Sequence, residues 1–276
     1  MRTTTALVAL VCALPSAAVA SSLGSWNFEE GGVSGYGEAN LDVLDSSSFE
    51  NHGFIPSADY RVSYTADAYE GEWALQLNDP LDPRPHPGQV NVPHSYSLEP
   101  ARGELSAAIK IEHYHDATIF TKASFQMLRT EPGSQPPVLV APGTSVEFPL
   151  GRIVGRTVYA LRLRTDGRIE ALIANDDPDE PGPWVSVVSD EPIPLGEWTE
   201  IGMRWDGCSL MVTTASGSVL VPYEATPARG LSYQGTGTDP TFGAVDLDAA
   251  ISQWGAPFVG KIDAVSFHEI GCGRCG

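Results

Sequence analysis

Tyr159-Ala160-Leu161-Arg162-Leu163-Arg164-Thr165-Asp166-Gly167-Arg168-Ile169-Glu170-Ala171-Leu172-Ile173 is the stretch that decides the fold class. Tyr159, Leu161 and Leu163 share one face of an extended chain, and Ile169, Ala171 and Ile173 share one face of the next. A two-residue turn would set Leu163 opposite Glu170 and mix the faces. A three-residue loop, Thr165-Asp166-Gly167, pairs Leu163 with Ile169, Leu161 with Ala171 and Arg162 with Glu170. One face is then apolar, the other carries opposite charges, and Gly167 stands where such a loop needs a left-handed residue.

Period 2 continues outward from this hairpin. Leu105, Ala107, Ile109 and Ile111 alternate with Ser106, Lys110 and Glu112, and Ile201, Met203 and Trp205 lead to a turn at Asp206-Gly207. A two-residue turn there places Cys208, Leu210 and Val212 on the same inward face, which makes Cys208 a small buried hydrophobe. No run of a dozen residues keeps a helical period, so the chain reads as nearly all β. The proline-rich stretches from Asp79 to Pro93 and from Thr130 to Gly151 read as long surface loops, where binding surfaces tend to sit.

Sixteen basic against 35 acidic residues give a net charge of −19 over 276 residues, with 42% hydrophobic. That balance excludes a nucleic-acid footprint and disfavours an anionic membrane surface. Met1-Arg2, the apolar run Ala6 to Leu14 and Ala18-Val19-Ala20 read as a secretory signal peptide over residues 1–20. Its removal takes Arg2 and moves the charge from −19 to −20. A secreted chain, with no membrane insertion, is the expectation. Residues 21–270 read as one domain and 271–276 as a short cysteine-containing tail. Of Cys208, Cys272 and Cys275, two are expected to pair in an oxidising compartment, and Cys272-x-x-Cys275 reads as a small terminal disulfide loop or tail staple outside the sandwich, with the pairing of the three left open.

Further motifs follow in order: Trp26-Asn27-Phe28-Glu29-Glu30-Gly31, Asp45-Ser46-Ser47-Ser48 with Asn51-His52-Gly53, and Tyr69-Glu70-Gly71-Glu72-Trp73-Ala74-Leu75. Val90-Asn91-Val92-Pro93, Phe120-Thr121-Lys122, Gly196-Glu197-Trp198 before Asp206-Gly207, and Phe258-Val259-Gly260-Lys261-Ile262-Asp263-Ala264-Val265 complete the series. The series resembles the laminin-G-like jelly rolls of the concanavalin A-like lectin and glucanase superfamily. That resemblance implies an antiparallel two-sheet sandwich but no single activity, because the superfamily holds lectins, adhesion modules, glycosidases and lyases.

The carboxylate strand pattern of the superfamily's glucanases is absent. Asp176-Asp177-Pro178-Asp179-Glu180 reads as a solvated turn, and His113-x-His115 with Asp116 does not complete a metal site. Trp26, Trp73, Trp198 and Trp205 fall in strand patterns and are placed in the core. Trp184 and Trp254 lie among turn formers, as ligand anchors or as lids over a core edge. Period 2 puts Asp263 on the core face with Val265 and Phe267, where a carboxylate needs a partner or a cation. The resemblance implies calcium there, held by Asp263 with Glu30 or Glu29; the alternative is that Asp263 accepts hydrogen bonds. The expected function is a secreted, non-catalytic recognition or adhesion module for a glycan or an extracellular protein. The alternative is a carbohydrate-active enzyme, hydrolase or lyase, with an unfamiliar site.

Overall fold

The computed structural model describes residues 21–32, 41–55, 59–93, 95–128, 145–148, 151–173, 185–223, 236–237, 241–242 and 256–271. In chain order the strands are β1 (Ser21–Trp26), β2 (Leu41–Val43), β3 (Gly53–Ile55), β4 (Val62–Thr65), β5 (Ala74–Leu77), β6 (Val90–Asn91) and β7 (Gly103–Lys110). The middle of the chain gives β8 (Ala117–Leu128), β9 (Ser145–Phe148), β10 (Gly151–Leu163), β11 (Ile169–Ile173), β12 (Val185–Val188) and β13 (Thr199–Trp205). The rest are β14 (Ser209–Thr214), β15 (Gly217–Pro222), β16 (Thr236–Gly237), β17 (Thr241–Phe242), β18 (Ala256–Pro257) and β19 (Gly260–Glu269).

They form two sheets. One runs β15-β14-β13-β7-β19-β5-β4, with β1 added to β19; the other runs β12-β11-β10-β8-β17-β6-β3-β2, with β16 and β18 on β8 and β9 on β10. The architecture is the all-β antiparallel sandwich expected, β18 on β8 being a parallel pair. The inner faces meet in one core with an aromatic line through it. Trp26 packs edge-on to Phe242 at 5.2 Å, Phe242 meets Phe120 at 4.9 Å, and Tyr159 stacks on Trp205 at 5.0 Å. Large rings dominate such cores because each buries so much apolar area.

The β10–β11 register is the one read from the sequence: Leu163 opposite Ile169, Leu161 opposite Ala171, Arg162 opposite Glu170. Gly167 has φ of +81°, and the Arg162 guanidinium lies 3.7 Å from the Glu170 carboxylate. The β13–β14 hairpin turns one residue later than expected. Trp205 pairs with Leu210, so the turn residues are Gly207 and Cys208, with φ of +90° at Gly207 as a type II′ turn requires. Asp206 Oδ1 fixes this choice by accepting the N–H of Cys208 at 2.9 Å and of Ser209 at 2.8 Å.

Cys208 is therefore a half-buried turn residue rather than a core hydrophobe, and it is disulfide-bonded. Cys12, Cys272 and Cys275 lie outside the described residues.

The proline-rich stretch from Asp79 is partly a cover for the edge strand β4. Arg84, paired with Asp82, donates to the Val62 carbonyl at 2.8 Å, and the Arg61 N–H donates to the His86 carbonyl at 3.0 Å. Occupying an edge strand's free groups in this way blocks pairing with another chain. The second such stretch contains strand β9 and the start of β10, so it is not all loop.

The Asp45 loop is a second device. Buried at 4% exposure, Asp45 accepts the N–H groups of Ser25, Ser47 and Asn51 at 2.7–2.8 Å, and the Ser47 hydroxyl at 2.6 Å. Asn51 Nδ2 then donates to the Leu23 carbonyl, and the Asn51 backbone carbonyl receives Trp26 Nε1. The motif thus ties β1 into the core.

Candidate functional site

The closing strand β19 decides where the site lies. On one side it pairs with β7; on the other it pairs with β5 through Gly260, Lys261 and Ile262, then with β1 from Val265 to Glu269. The change of partner falls at Asp263-Ala264. There the register against β7 slips by one residue, and Ala264 adopts φ of +47°. This β-bulge breaks period 2. Ile262, Val265 and Phe267 enter the core, while Asp263, opposite Ala108, belongs to the outer face.

Asp263 is nevertheless fully buried, because the Tyr69–Glu72 loop folds over it. Its Oδ2 accepts the N–H groups of Tyr69 at 2.8 Å and Glu70 at 3.0 Å, and its Oδ1 accepts the N–H of Ala264 at 2.7 Å. Burial raises its pKa above the usual carboxylate value, against the pull of these three donors. Glu29 accepts the N–H of Glu72 at 3.0 Å, so two carboxylates hold one loop. Glu30 accepts the N–H of Leu44 at 3.2 Å, and burial raises its pKa as well.

Three backbone N–H donors face the carboxylate oxygens of Asp263. Among the described residues no group of three or more His, Cys, Asp or Glu side chains is placed to hold a metal ion. Glu29 and Asp263 hold the same loop, while Glu30 turns to Leu44.

Above the bulge a groove of about 500 Å³ crosses the outer face of the first sheet, over β19, β7, β13 and β14. Its floor is made of small side chains, Ser106, Ala108, Gly202, Ala264 and Ser266. Ser106 and Ser266 hydroxyls share a hydrogen bond at 2.7 Å. A Cβ at Gly202 would come within 3.1 Å of the Leu105 carbonyl and fill the floor.

Tyr69 forms one rim. Its ring, 37% exposed, lies 6.0 Å from the half-buried Trp198 ring at 55°. Its hydroxyl donates to Glu200 at 2.7 Å, and the carboxylate accepting that hydrogen bond holds the phenol above its usual pKa. Trp198 is anchored in turn, donating Nε1 to Asp67 at 3.2 Å. Asp67 also takes Lys261 and, at 2.9 Å, Lys110, which lower its pKa to about 2. At the other end Arg204 and Glu104 face each other across β13 and β7 at 3.9 Å, with Met211 beside them.

Trp184 and Trp254, the ligand anchors expected from the sequence, lie outside the described residues, as does the Asp176–Glu180 cluster. Trp26 and Trp205 are core as expected, at 1% and 0% exposure, but Trp73 and Trp198 are only partly buried. The aromatic ring on the groove's edge is Tyr69, and Trp198 lies beside it outside the lining. His115 is structural: Nε2 accepts the Val259 N–H at 3.1 Å, and Nδ1 lies 3.1 Å from the His113 carbonyl. Asp116 is engaged with Arg162 at 2.7 Å.

No family model and no curated protein sequence matches the chain. Among solved structures it is similar to domain 4 of AbnA, a GH43 extracellular arabinanase from Geobacillus stearothermophilus in complex with arabinotriose. The identity is 16% over 92% of this chain and 95% of that one, with a TM-score of 0.49. It is similar to the carbohydrate esterase vb_24B_21 from the Shiga toxin-encoding bacteriophage phi24B at 11% identity, covering 91% and 100%, with a TM-score of 0.44. A Trypanosoma rangeli sialidase gives 10% identity over 91% of this chain and 31% of that one, with a TM-score of 0.49. All three scores lie below 0.5, and no ligand or activity is carried over from these proteins.

Proposed function

We propose that this is a secreted recognition module that binds a glycan in the groove across its first sheet, without catalysing a reaction. The observation that supports it is the exposed Tyr69 ring standing over a floor of hydroxyl and methyl groups. A sugar presents an apolar ring face and a polar edge. Tyr69 offers stacking surface to the first, and Glu200, Arg204 and Glu104 offer charge-assisted hydrogen bonds to the second.

A catalytic reading has less support. Glu104 and Glu200 stand opposite Arg204 and Ala108, four positions apart along the sheet. At about 3.4 Å per residue their Cα atoms stand roughly 14 Å apart along the strands, and each carboxylate has a partner of its own, Arg204 for Glu104 and the Tyr69 hydroxyl for Glu200. Motif order supports placing the sandwich among the laminin-G-like jelly rolls, and the leader supports secretion.

The test is retention on insoluble polysaccharides, followed by analysis of what is left in solution. A binder is depleted from the supernatant and releases no reducing ends or unsaturated products. Release of such products would reassign the protein as an enzyme, and absence of retention on every polysaccharide would refute glycan recognition.

A further inference from the structure

Resting on the groove reading, we infer that the glycan it takes carries free amino groups: a positively charged amino-sugar chain rather than a neutral or acidic one.

The groove's ionisable lining is unbalanced. Glu70, Glu104 and Glu200 line it, and Arg204 is the one cation among its described lining residues. Arg204 lies 3.9 Å from Glu104, with both side chains nearly half exposed, so the lining keeps an excess of two carboxylates over its one guanidinium. Lys110 and Lys261 both turn to Asp67, which also takes Trp198 Nε1; this cluster carries one net positive charge, and none of its three charged residues lines the groove. Asp263 adds a fourth carboxylate beneath the Tyr69 loop.

A uronate or sialate laid on this floor would meet an excess of like charge, with Arg204 its one cationic partner among the described lining residues. An ammonium would meet Glu104 at one end and Glu200 at the other, where it gains attraction in a cleft that focuses the field. Tyr69 contributes in the same direction, since a ring face attracts a cation within ~6 Å.

The experiment titrates glucosamine hexamer, its fully N-acetylated counterpart and a galacturonate hexamer into the full chain at 0.15 M salt, by calorimetry. The free-amine hexamer should bind at least about tenfold more tightly than the N-acetylated one, and the galacturonate should not bind. Diffuse attraction by a protein of net charge −19 is separated by two variants. Glu104→Gln/Glu200→Gln should lose the preference. Asp190→Asn/Glu191→Gln makes the same charge change at exposed positions outside the groove, and should keep it. Equal binding of the two glucosamine forms, binding of the galacturonate, or a preference that survives Glu104→Gln/Glu200→Gln would overturn the inference. If insoluble polysaccharide still retains the protein and Tyr69→Ala abolishes that retention, glycan recognition stands while the charge class fails. If no polysaccharide is retained, both fall.

Discussion

Replacing Cys208 by serine should lower stability by several kcal/mol. The cysteine sits at the turn of the β13–β14 hairpin and is disulfide-bonded. The chain's C-terminal segment leaves the sandwich at the same corner. Glu269 pairs with Gly103, Gly103 pairs with Trp205, and the Ile270 N–H donates to the Arg102 carbonyl at 3.2 Å. The Arg102 guanidinium packs on Gly207, next to Cys208. A bond from Cys208 to Cys272 or Cys275 closes a loop of about 65 to 68 residues, and the chain-entropy relation gives ~4 kcal/mol for that length. For a domain of this size, 1 kcal/mol moves the melting temperature by roughly 2–4 °C, so the drop should be about 8–16 °C. The assay is thermal unfolding of wild type and Cys208→Ser with and without reductant. Reduced wild type should melt like Cys208→Ser, and deleting residues 272–276 should match both. A Cys208→Ser protein melting within about 2 °C of oxidised wild type would refute the staple.

Asp45→Ala strands three N–H donors and should cost on the order of 3 kcal/mol or more by chemical denaturation, since each buried unpaired donor costs ~1–3 kcal/mol; a loss under about 1 kcal/mol would contradict the hub. Ala264→Gly should leave stability level or raise it by up to ~1 kcal/mol and Ala264→Val should lower it, because the bulge holds φ of +47°; the reverse order would remove the bulge. Asp67 has its carboxyl depressed from 3.8 to about 2 by Lys261 and Lys110, so its contribution is present above pH 4 and lost as pH falls toward 2. With its side chain 38% exposed the gain is screened to under ~1 kcal/mol, and Asp67→Asn should flatten that part of the acid limb without moving neutral-pH stability by more. Asp263 and Glu30 act oppositely: their raised values make the cost of burying charge grow as pH rises through them. Because N–H donors already face Asp263, melting in excess calcium and in chelator should coincide; a calcium-dependent rise of several degrees would restore the ion that the motif resemblance implies.

The β10–β11 hairpin was legible in full because its register depends on neighbours in sequence, and one slip would have buried Glu170. The β13–β14 turn was legible only to within one position. Turning at Asp206-Gly207 or at Gly207-Cys208 leaves Leu210 and Val212 facing inward, so hydrophobic pattern does not distinguish them; the Asp206 side-chain hydrogen bonds do. Asp263 was misplaced for a different reason. The bulge changes its face, and the cause is a switch of strand partner from β5 to β1, which no local pattern records.

Trp198 was recoverable. It lies an odd number of positions from Ile201, Met203 and Trp205, so the alternation that buries those three turns Trp198 outward with Glu200 and Arg204. The groove itself was not legible, since it joins β7, β13, β14, β19 and the Tyr69 loop, segments up to about two hundred residues apart.

The central claim is that the Tyr69 groove is where a glycan binds, and affinity electrophoresis through gels containing soluble polysaccharide tests it most directly. Tyr69 contributes through its exposed ring, while its backbone N–H, which holds the loop to Asp263, remains in an alanine variant. Tyr69→Ala should therefore melt close to wild type yet lose about fivefold or more in affinity, from ~1 kcal/mol of stacking. Wild type should be retarded by at least one polysaccharide and Tyr69→Ala by markedly less. Equal retardation of the two proteins, at equal melting temperature, would contradict the account.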